Sequence, residues 1–407
     1  MSEPSPLSVS RNDIIDARER LAPVVLGSPC PYSEPLSTLT GCQLYLKLEN
    51  LQPTGSFKVR GSSNKMQQLS DAERAAGVIT ASAGNHAQGV AYAAAQCGIL
   101  ATVVMPETAP LSKIEGTRAL GATIELHGEG FDDASTRARQ LAEEAGATFI
   151  HAFDDPQVIA GQGTAGLEIL EQIPELDAII VPVGGGGLIG GIALALSERR
   201  PRPRIIGVQA AQMPAMCRSL EKGKILALPH ANTIADGISV PRVGEHTFPL
   251  VRRYVDELVT VTEEELASAL MVLLEREKTL AEGAGVAGFA ALYNNHIDGL
   301  RGKRVVVVIS GGNIDMTTLS KILERGLEKD GRLTELKVVV PDKPGGIAGM
   351  SAVVADQSGN ILHISQNRSF TDTRLGEVEV DMVLETRGGT HAQSIIDALR
   401  KNGYQVK

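Results

Sequence analysis

Four consecutive glycines, Gly184, Gly185, Gly186 and Gly187, break the run VPVGGGGLIGG at residues 181–191 of this 407-residue chain. An apolar, β-branched stretch, AIIVPV, leads into them, and an apolar stretch of helical length leads out. A tight turn rarely needs four glycines in a row. Bare backbone lets several N–H groups converge at a helix start, where the dipole adds positive charge, so this turn is built to hold a phosphate. Strand, bare turn and helix in that order constrain the chain to an open α/β fold with a parallel sheet. Further strand-like runs agree: GVITAS (77–82), ATVVMP (101–106), RIIGVQ (204–209) and RVVVVIS (304–310) alternate with helical segments such as 87–97, 132–145 and 263–280.

The same glycines contain G-x-G-x-x-G, at Gly185, Gly187 and Gly190, which alone is a weak sign of dinucleotide binding. A nicotinamide-binding unit carries an acid for the ribose hydroxyls roughly 20 residues further on. Here the next strand ends in Gln209, and the turn lies deep in the chain, so a phosphate ligand of another kind is favoured. The net charge of -9 and pI near 5.5, with no lysine-arginine cluster, exclude nucleic acid and anionic membrane as main partners. Cys30, Cys42, Cys97 and Cys217 stand far apart without a C-x-x-C pair, which predicts reduced thiols and neither a disulfide framework nor a zinc site. The start, MSEPSPLSVSRND, is not patterned as a signal peptide, and no apolar run approaches the roughly 20 residues that cross a bilayer. A cytoplasmic protein is expected.

Composition shifts at LEKDGRLTE, 327–335, a charged, glycine-containing stretch that reads as a linker. It separates residues 1–326 from a tail, 336–407, whose order is strand, helix, strand, strand, helix, strand, the βαββαβ order of a ferredoxin-like domain. As a default, such a tail is an oligomerisation or stability module.

Three stretches besides the glycine turn carry chemistry. In LENLQPTGSFKVRG, Lys58 follows a Gly-Ser-Phe turn and opens a helix; an isolated lysine is ordinarily a solvated charge. In TASAGNHAQGVAYAA, a strand ends and Ser82, Ala83, Gly84, Asn85 and His86 open a helix, a start that favours a carboxylate, although His86 alone reads equally well as a core or capping histidine. In VVVVISGGN, a strand delivers Ser310 to a turn.

Together, PTGSFKVRG, SAGNHAQGVA, GGGGLIGG and SGGN resemble the pyridoxal-phosphate enzymes of the tryptophan-synthase-β type (fold type II), in their threonine/serine dehydratase branch, over most of residues 10–325. The tail resembles an ACT regulatory domain. The resemblance implies two open parallel-sheet lobes, the smaller at about 55–150, and assigns roles. Lys58 would carry the cofactor covalently and later remove the substrate's Cα proton, with Phe57 against the cofactor ring. Gly184 to Gly187, with Leu188, would bind its phosphate, Asn85 its ring hydroxyl, and Ser310 its ring nitrogen. Ser82, Ala83, Gly84, Asn85 and His86 would hold the substrate carboxylate. A neutral serine does not force that nitrogen to stay protonated, which weakens the electron sink and favours elimination. The implied reaction is loss of water from L-threonine, and more weakly L-serine, giving 2-oxobutanoate or pyruvate plus ammonia.

Departures from relatives sharpen this reading. Serine racemases carry a second serine where this chain has Ala83, and acids for a divalent cation where it has Gln209 and Ala215. Glu282, before a Gly-Ala-Gly helix start, is a cap by default, while related enzymes place an acid there beside the cofactor. The ACT-like tail would bind an amino acid, isoleucine or valine, near Asp342, Pro344, Gly345 and Gly346, between two such domains of a homodimer or homotetramer. The rival from another class is an amino-acid sensor with an inert catalytic body, against which the intact Lys58 and its four motifs stand.

Overall fold

A computed structural model describes residues 7–368 and 373–407. The chain divides into two units, Met1–Asp315 and Met316–Lys407. In the first, β1 (Gln43–Leu48), β2 (Val78–Ala81), β3 (Ala101–Met105), β4 (Thr123–Leu126), β5 (Thr148–Phe149), β6 (Ala178–Pro182), β7 (Arg204–Ala210), β8 (Glu257–Val261) and β9 (Arg304–Ile309) form two sheets. One has the order β1-β9-β6-β7-β8 and the other β4-β3-β2-β5, and every pairing in both is parallel. The two open parallel lobes expected from the sequence are therefore present. Central strands β6 and β9 are buried almost throughout, because helices cover both faces, and their continuous Val/Ile runs reflect that.

Parallel strands deliver all their carboxyl ends to one edge, where ligands of open α/β sheets bind. β9 ends at Ser310, β6 at the glycine turn, β2 at Ser82, and β1 runs into the Lys58 turn. Four strands escape a reading of the sequence for good reasons. β1 carries a lysine, Lys47, at a fully buried position, β4 is short and half-exposed, β5 has two residues, and β8 is an edge strand. The helix expected over 263–280 ends at Glu277, because Lys278 turns left-handed at φ 56°.

The second unit contains β10 (Leu333–Pro341), β11 (Asn360–Asn367), β12 (Glu377–Glu385) and β13 (Gln405–Val406) in the order β11-β12-β10-β13, with helices Gly346–Asp356 and Gly389–Lys401 packed on one face. Its order is the expected βαββαβ. The stretch 327–335, read as linker, is instead the end of helix Met316–Lys329 and the start of β10, leaving a turn between them at left-handed Gly331. No helix among the described residues is long and apolar enough to cross a membrane.

A buried charge cluster braces the first unit. Arg60, with no exposed surface, gives Nε and Nη2 to Glu49 (2.7 and 2.8 Å), Nη1 and Nη2 to Glu168 (2.6 and 2.8 Å), and Nη1 to Thr164 (3.1 Å). All five of its N–H donors are thereby matched. Lys47 bonds Glu168 (2.6 Å) and the carbonyl of Ser28 (2.7 Å). Burial works against the Arg60 charge, but Glu49 and Glu168 outweigh it, and Arg60 in turn holds the buried Glu49 below the usual carboxylate range. Arg60→Met would leave the buried Glu49 carboxylate with only the Ser28 hydroxyl and the Gln52 amide as partners, and Glu168 with Lys47, so unfolding free energy should fall by about 3–5 kcal/mol in urea titrations; a loss below about 1 kcal/mol would contradict the bracing role.

Candidate active site

Residues 49–57, after β1, form the turn that presents Lys58. Gly55 sits at φ 70°, and a Cβ there would lie 2.3 Å from Asn313 Oδ1. The turn is zipped to the end of β9: Gly312 N–H donates to the Gly55 carbonyl (2.9 Å) and Phe57 N–H to that of Ser310 (3.1 Å). Lys58 then begins the helix Lys58–Gln67. Its Nζ donates to the Ala152 carbonyl (2.9 Å) and stands 5.2 Å from the Phe57 ring centroid. Enclosure lowers its pKa to about 8, with Glu282 partly offsetting the effect.

Lys58 opens on a cavity of about 780 Å³, within the range of cofactor sites. The glycine turn forms one wall. Gly186 has φ 95°, and added Cβ atoms would collide with the Phe153 ring at Gly185 (2.3 Å) and with Met216 at Gly186 (2.7 Å). No side chain caps the helix Gly187–Ala195, and Gly184 to Leu188 all face the cavity. Thr247 Oγ1 donates to the Gly185 carbonyl (2.6 Å), which pins the turn from behind.

A second uncapped helix, Asn85–Cys97, starts at the opposite wall. Gly84 N–H donates to Ser82 Oγ (3.1 Å), and the amides of the first helical turn have no intrahelical acceptor. The His86 ring faces away from this role: Nε2 bonds the Ile150 carbonyl (3.1 Å), so it carries the proton, and buried Nδ1 has no partner. Burial and the Lys58 charge lower its pKa to about 3. Asn85 Nδ2 donates to Glu282 Oε1 (2.7 Å), and Asn85 Oδ1 accepts from Asn313 Nδ2 (2.8 Å). Glu282 stands at an N-cap position yet makes no capping bond. Burial, then Asp236, raise its pKa to about 7. Ala83 and Ser310 also line the cavity, and Gln209 lies in the core, bonded to the Val183 carbonyl and the Cys217 N–H.

The segment 150–155, between β5 and the helix Pro156–Gln172, was not singled out in the sequence, yet it touches Lys58, His86 and the glycine turn. Ala152 holds Lys58, and Phe153 packs on the glycine turn. Asp154 accepts the N–H groups of Glu245, His246 and Thr247, and Asp155 caps the following helix and pairs with Lys65. The signal available was HAFDDP, an aromatic between histidine and paired aspartates before a helix-starting proline, which local periodicity does not distinguish from any helix cap.

In the second unit, Asp342, Pro344 and Gly345 turn between β10 and the helix at Gly346. Gly345 has φ 88°, a Cβ on Gly346 would lie 2.3 Å from the Pro341 carbonyl, and Asp342 pairs with Arg368 (3.1 Å).

A cavity with a partly neutral amine, an uncapped glycine cradle without room for side chains, a second uncapped helix start and an aromatic wall suits a ligand that joins a carbonyl, a flat ring and a phosphate. Residues 21–311 match the family described as pyridoxal-phosphate dependent enzyme, and 334–403 match the ACT domain. The chain is 47% identical to an L-threonine ammonia-lyase of Thermotoga maritima over 98% of this chain and 99% of the relative. Among solved structures, it resembles threonine deaminase isoform 2 of Solanum lycopersicum (TM-score 0.74, 37% identity, 80% of this chain and 98% of that one) and maize serine racemase (0.74, 36%, 79% and 99%). This chain belongs to the pyridoxal-phosphate dependent enzymes, with an ACT domain following the catalytic unit in sequence.

Proposed function

We propose that the protein is an L-threonine ammonia-lyase, releasing 2-oxobutanoate and ammonia from L-threonine and, secondarily, pyruvate from L-serine. The observation that carries this reading is Lys58, an amine with a lowered pKa facing a cavity walled by two uncapped helix starts. Pyridoxal phosphate, when bound, supplies an electron sink for negative charge at the amino acid's Cα. The residues present fit it: Lys58 would attach to it, Gly184 to Gly187 and Leu188 would hold its phosphate, and Phe57, Asn85 and Ser310 would meet its ring.

The substrate carboxylate is assigned to the main-chain amides of Asn85 and His86, with Ser82, Ala83 and Gly84 shaping the turn. The His86 ring is not a donor there, because its one proton is committed to Ile150. Lys58 Nζ takes the Cα proton, which requires the amine to be neutral. Glu282 fixes the orientation of Asn85 and, with a pKa near 7, can do so as acid or carboxylate. Alanine at position 83 leaves no hydroxyl there to reprotonate Cα from the other face, which supports elimination over racemisation.

The ACT domain is read as the sensor of an amino-acid effector, isoleucine or valine, at Asp342 to Gly346, between two copies in a homodimer or homotetramer. Glycine at 346 lets the turn close against the Pro341 carbonyl, where a Cβ would not fit. The four cysteines are free thiols, which suits the reducing cytoplasm.

Lys58→Ala should lose the visible absorbance of the bound cofactor and 2-oxobutanoate release from L-threonine together, while the parent shows both. A parent that cannot be loaded with pyridoxal phosphate would overturn the reading. The lowered pKa makes a second prediction. An amine is reactive above its pKa, so in cofactor-free protein the acetylation rate of Lys58, followed by peptide mass spectrometry, should rise roughly tenfold from pH 7 to pH 9 and then level off. A rise continuing past pH 10 would mark an ordinary lysine.

A further inference from the structure

His151 stands on the cavity wall, and neither the glycine cradle nor the Lys58 chemistry uses its ring. Its Nδ1 accepts two backbone N–H groups, from Phe153 (3.2 Å) and Asp154 (2.8 Å). A nitrogen that accepts cannot carry the ring proton, so the proton sits on Nε2. The ring plane is held as firmly as the tautomer: it meets the Phe153 ring edge-on at 4.7 Å and 90°, and lies 6.3 Å from that of Phe149. Nε2 has no hydrogen-bond partner among the described residues, and His151 lines the cavity beside Ala152, whose carbonyl holds the Lys58 amine. Phe153, two residues on, packs against Gly185 and Gly187. A fixed N–H donor thus lies on the wall of the same cavity as the reactive amine and the glycine turn. Burial, joined by the charges of Arg139 and Lys58 and opposed by Asp154, lowers the ring's pKa to about 4, so the donor is neutral near neutral pH.

We propose that His151 Nε2–H donates a hydrogen bond to the β-hydroxyl of the substrate, orients that hydroxyl for departure, and so selects β-hydroxy amino acids. The inference rests on the ammonia-lyase reading above. In the elimination, the Cα–H and Cβ–O bonds break and a Cα–Cβ double bond forms. The proton taken at Lys58 Nζ and the departing hydroxide together make one water. His151 keeps its proton throughout: a neutral imidazole is too weak an acid to release it, but its hydrogen bond strengthens as negative charge develops on the leaving oxygen.

The test compares L-serine with β-chloro-L-alanine, which yield the same pyruvate and differ only in the leaving group. Chloride departs without needing a donor. His151→Asn is the variant of choice, because asparagine Oδ1 can replace Nδ1 as acceptor for Phe153 and Asp154 while nothing replaces Nε2. In the loaded, full-length enzyme, kcat on L-serine and L-threonine should fall roughly 100-fold, as for loss of one preorganised donor, with kcat on β-chloro-L-alanine changing less than about threefold. Melting temperature and the bound cofactor's absorbance should match the parent. In a readout independent of turnover, the spectrum of the protein with ¹⁵N-labelled histidine should lose one neutral Nε2–H ring signal on going from the parent to His151→Asn, that of His86 remaining.

Equal losses on both substrates would make His151 a structural residue of the turn, and no loss on either would remove it from the site; each result overturns the proposal. If the signal lost in His151→Asn is that of a protonated or an Nδ1–H ring, the proposal is overturned as well. A parent inactive on all three substrates would instead refute the ammonia-lyase reading, so the two failures are distinguishable. Should His151→Asn fail to fold, His151→Gln, which places an amide N–H near the Nε2 position, should keep more hydroxyl-substrate activity than His151→Ala, and equal activity of the two would overturn the proposal.

Discussion

The placement of the reactive amine depends on the buried contact between Arg60 and Glu49. These residues bracket the turn that carries Lys58, and their paired hydrogen bonds clamp its base. Burying such charges costs several kcal/mol per ion, and the cost is offset only where every donor and acceptor is matched. The clamp meets that condition: Glu168 and Thr164 take the guanidinium's remaining donors, and Lys47 balances the second carboxylate. Above the clamp, the turn is zipped to the end of β9. A flexible lysine side chain is therefore delivered from a backbone held at both ends, which is the support a reactive group needs to stay in register with its ligand.

Glycine plays the complementary part on the helices. A Cβ on Gly161 would lie 2.6 Å from the Arg60 carbonyl, one on Gly61 would meet Gln162 at 2.4 Å, and one on Gly191 would meet the Ile159 carbonyl at 2.6 Å. The Lys58, Pro156 and Gly187 helices thus approach backbone to backbone, and each carries a different part of the site at its amino-terminal end. Interiors this dense transmit rather than absorb displacement. The spacing between amine and glycine cradle is set by contact between these helices.

Electrostatics in the cavity run in one direction. Burial pushes Lys58, His86 and His151 toward their neutral forms from above and Glu282 toward its neutral form from below. A site poised in this way can move a proton near neutral pH without first stabilising a bare charge. The two histidines illustrate how a backbone contact decides the part a ring can play. His86 spends its proton on Ile150 and offers the cavity no ring donor, while His151 spends its lone pair on two amides and keeps its N–H for the cavity.

The central strands of the first unit, the glycine cradle, the lysine turn and the C-terminal domain were legible in the sequence because each is local: a run of β-branched residues, a string of glycines, a helix start within a few positions. Contacts between distant segments were not legible. Lys47 in β1 reads as a surface charge until Glu168, 121 residues away, is brought to it. Glu282 reads as a helix cap until Asn85 arrives from a distance of 197 residues. The segment at 150–155 has no period or glycine run of its own, and its work lies in bonds to a lysine, a glycine turn and a helix start that are far off in the chain. The sequence by itself determined which chemical groups this protein owns and which strand ends carry them. Tertiary structure alone decided their protonation and their partners, because burial and neighbouring charge are properties of the packed chain.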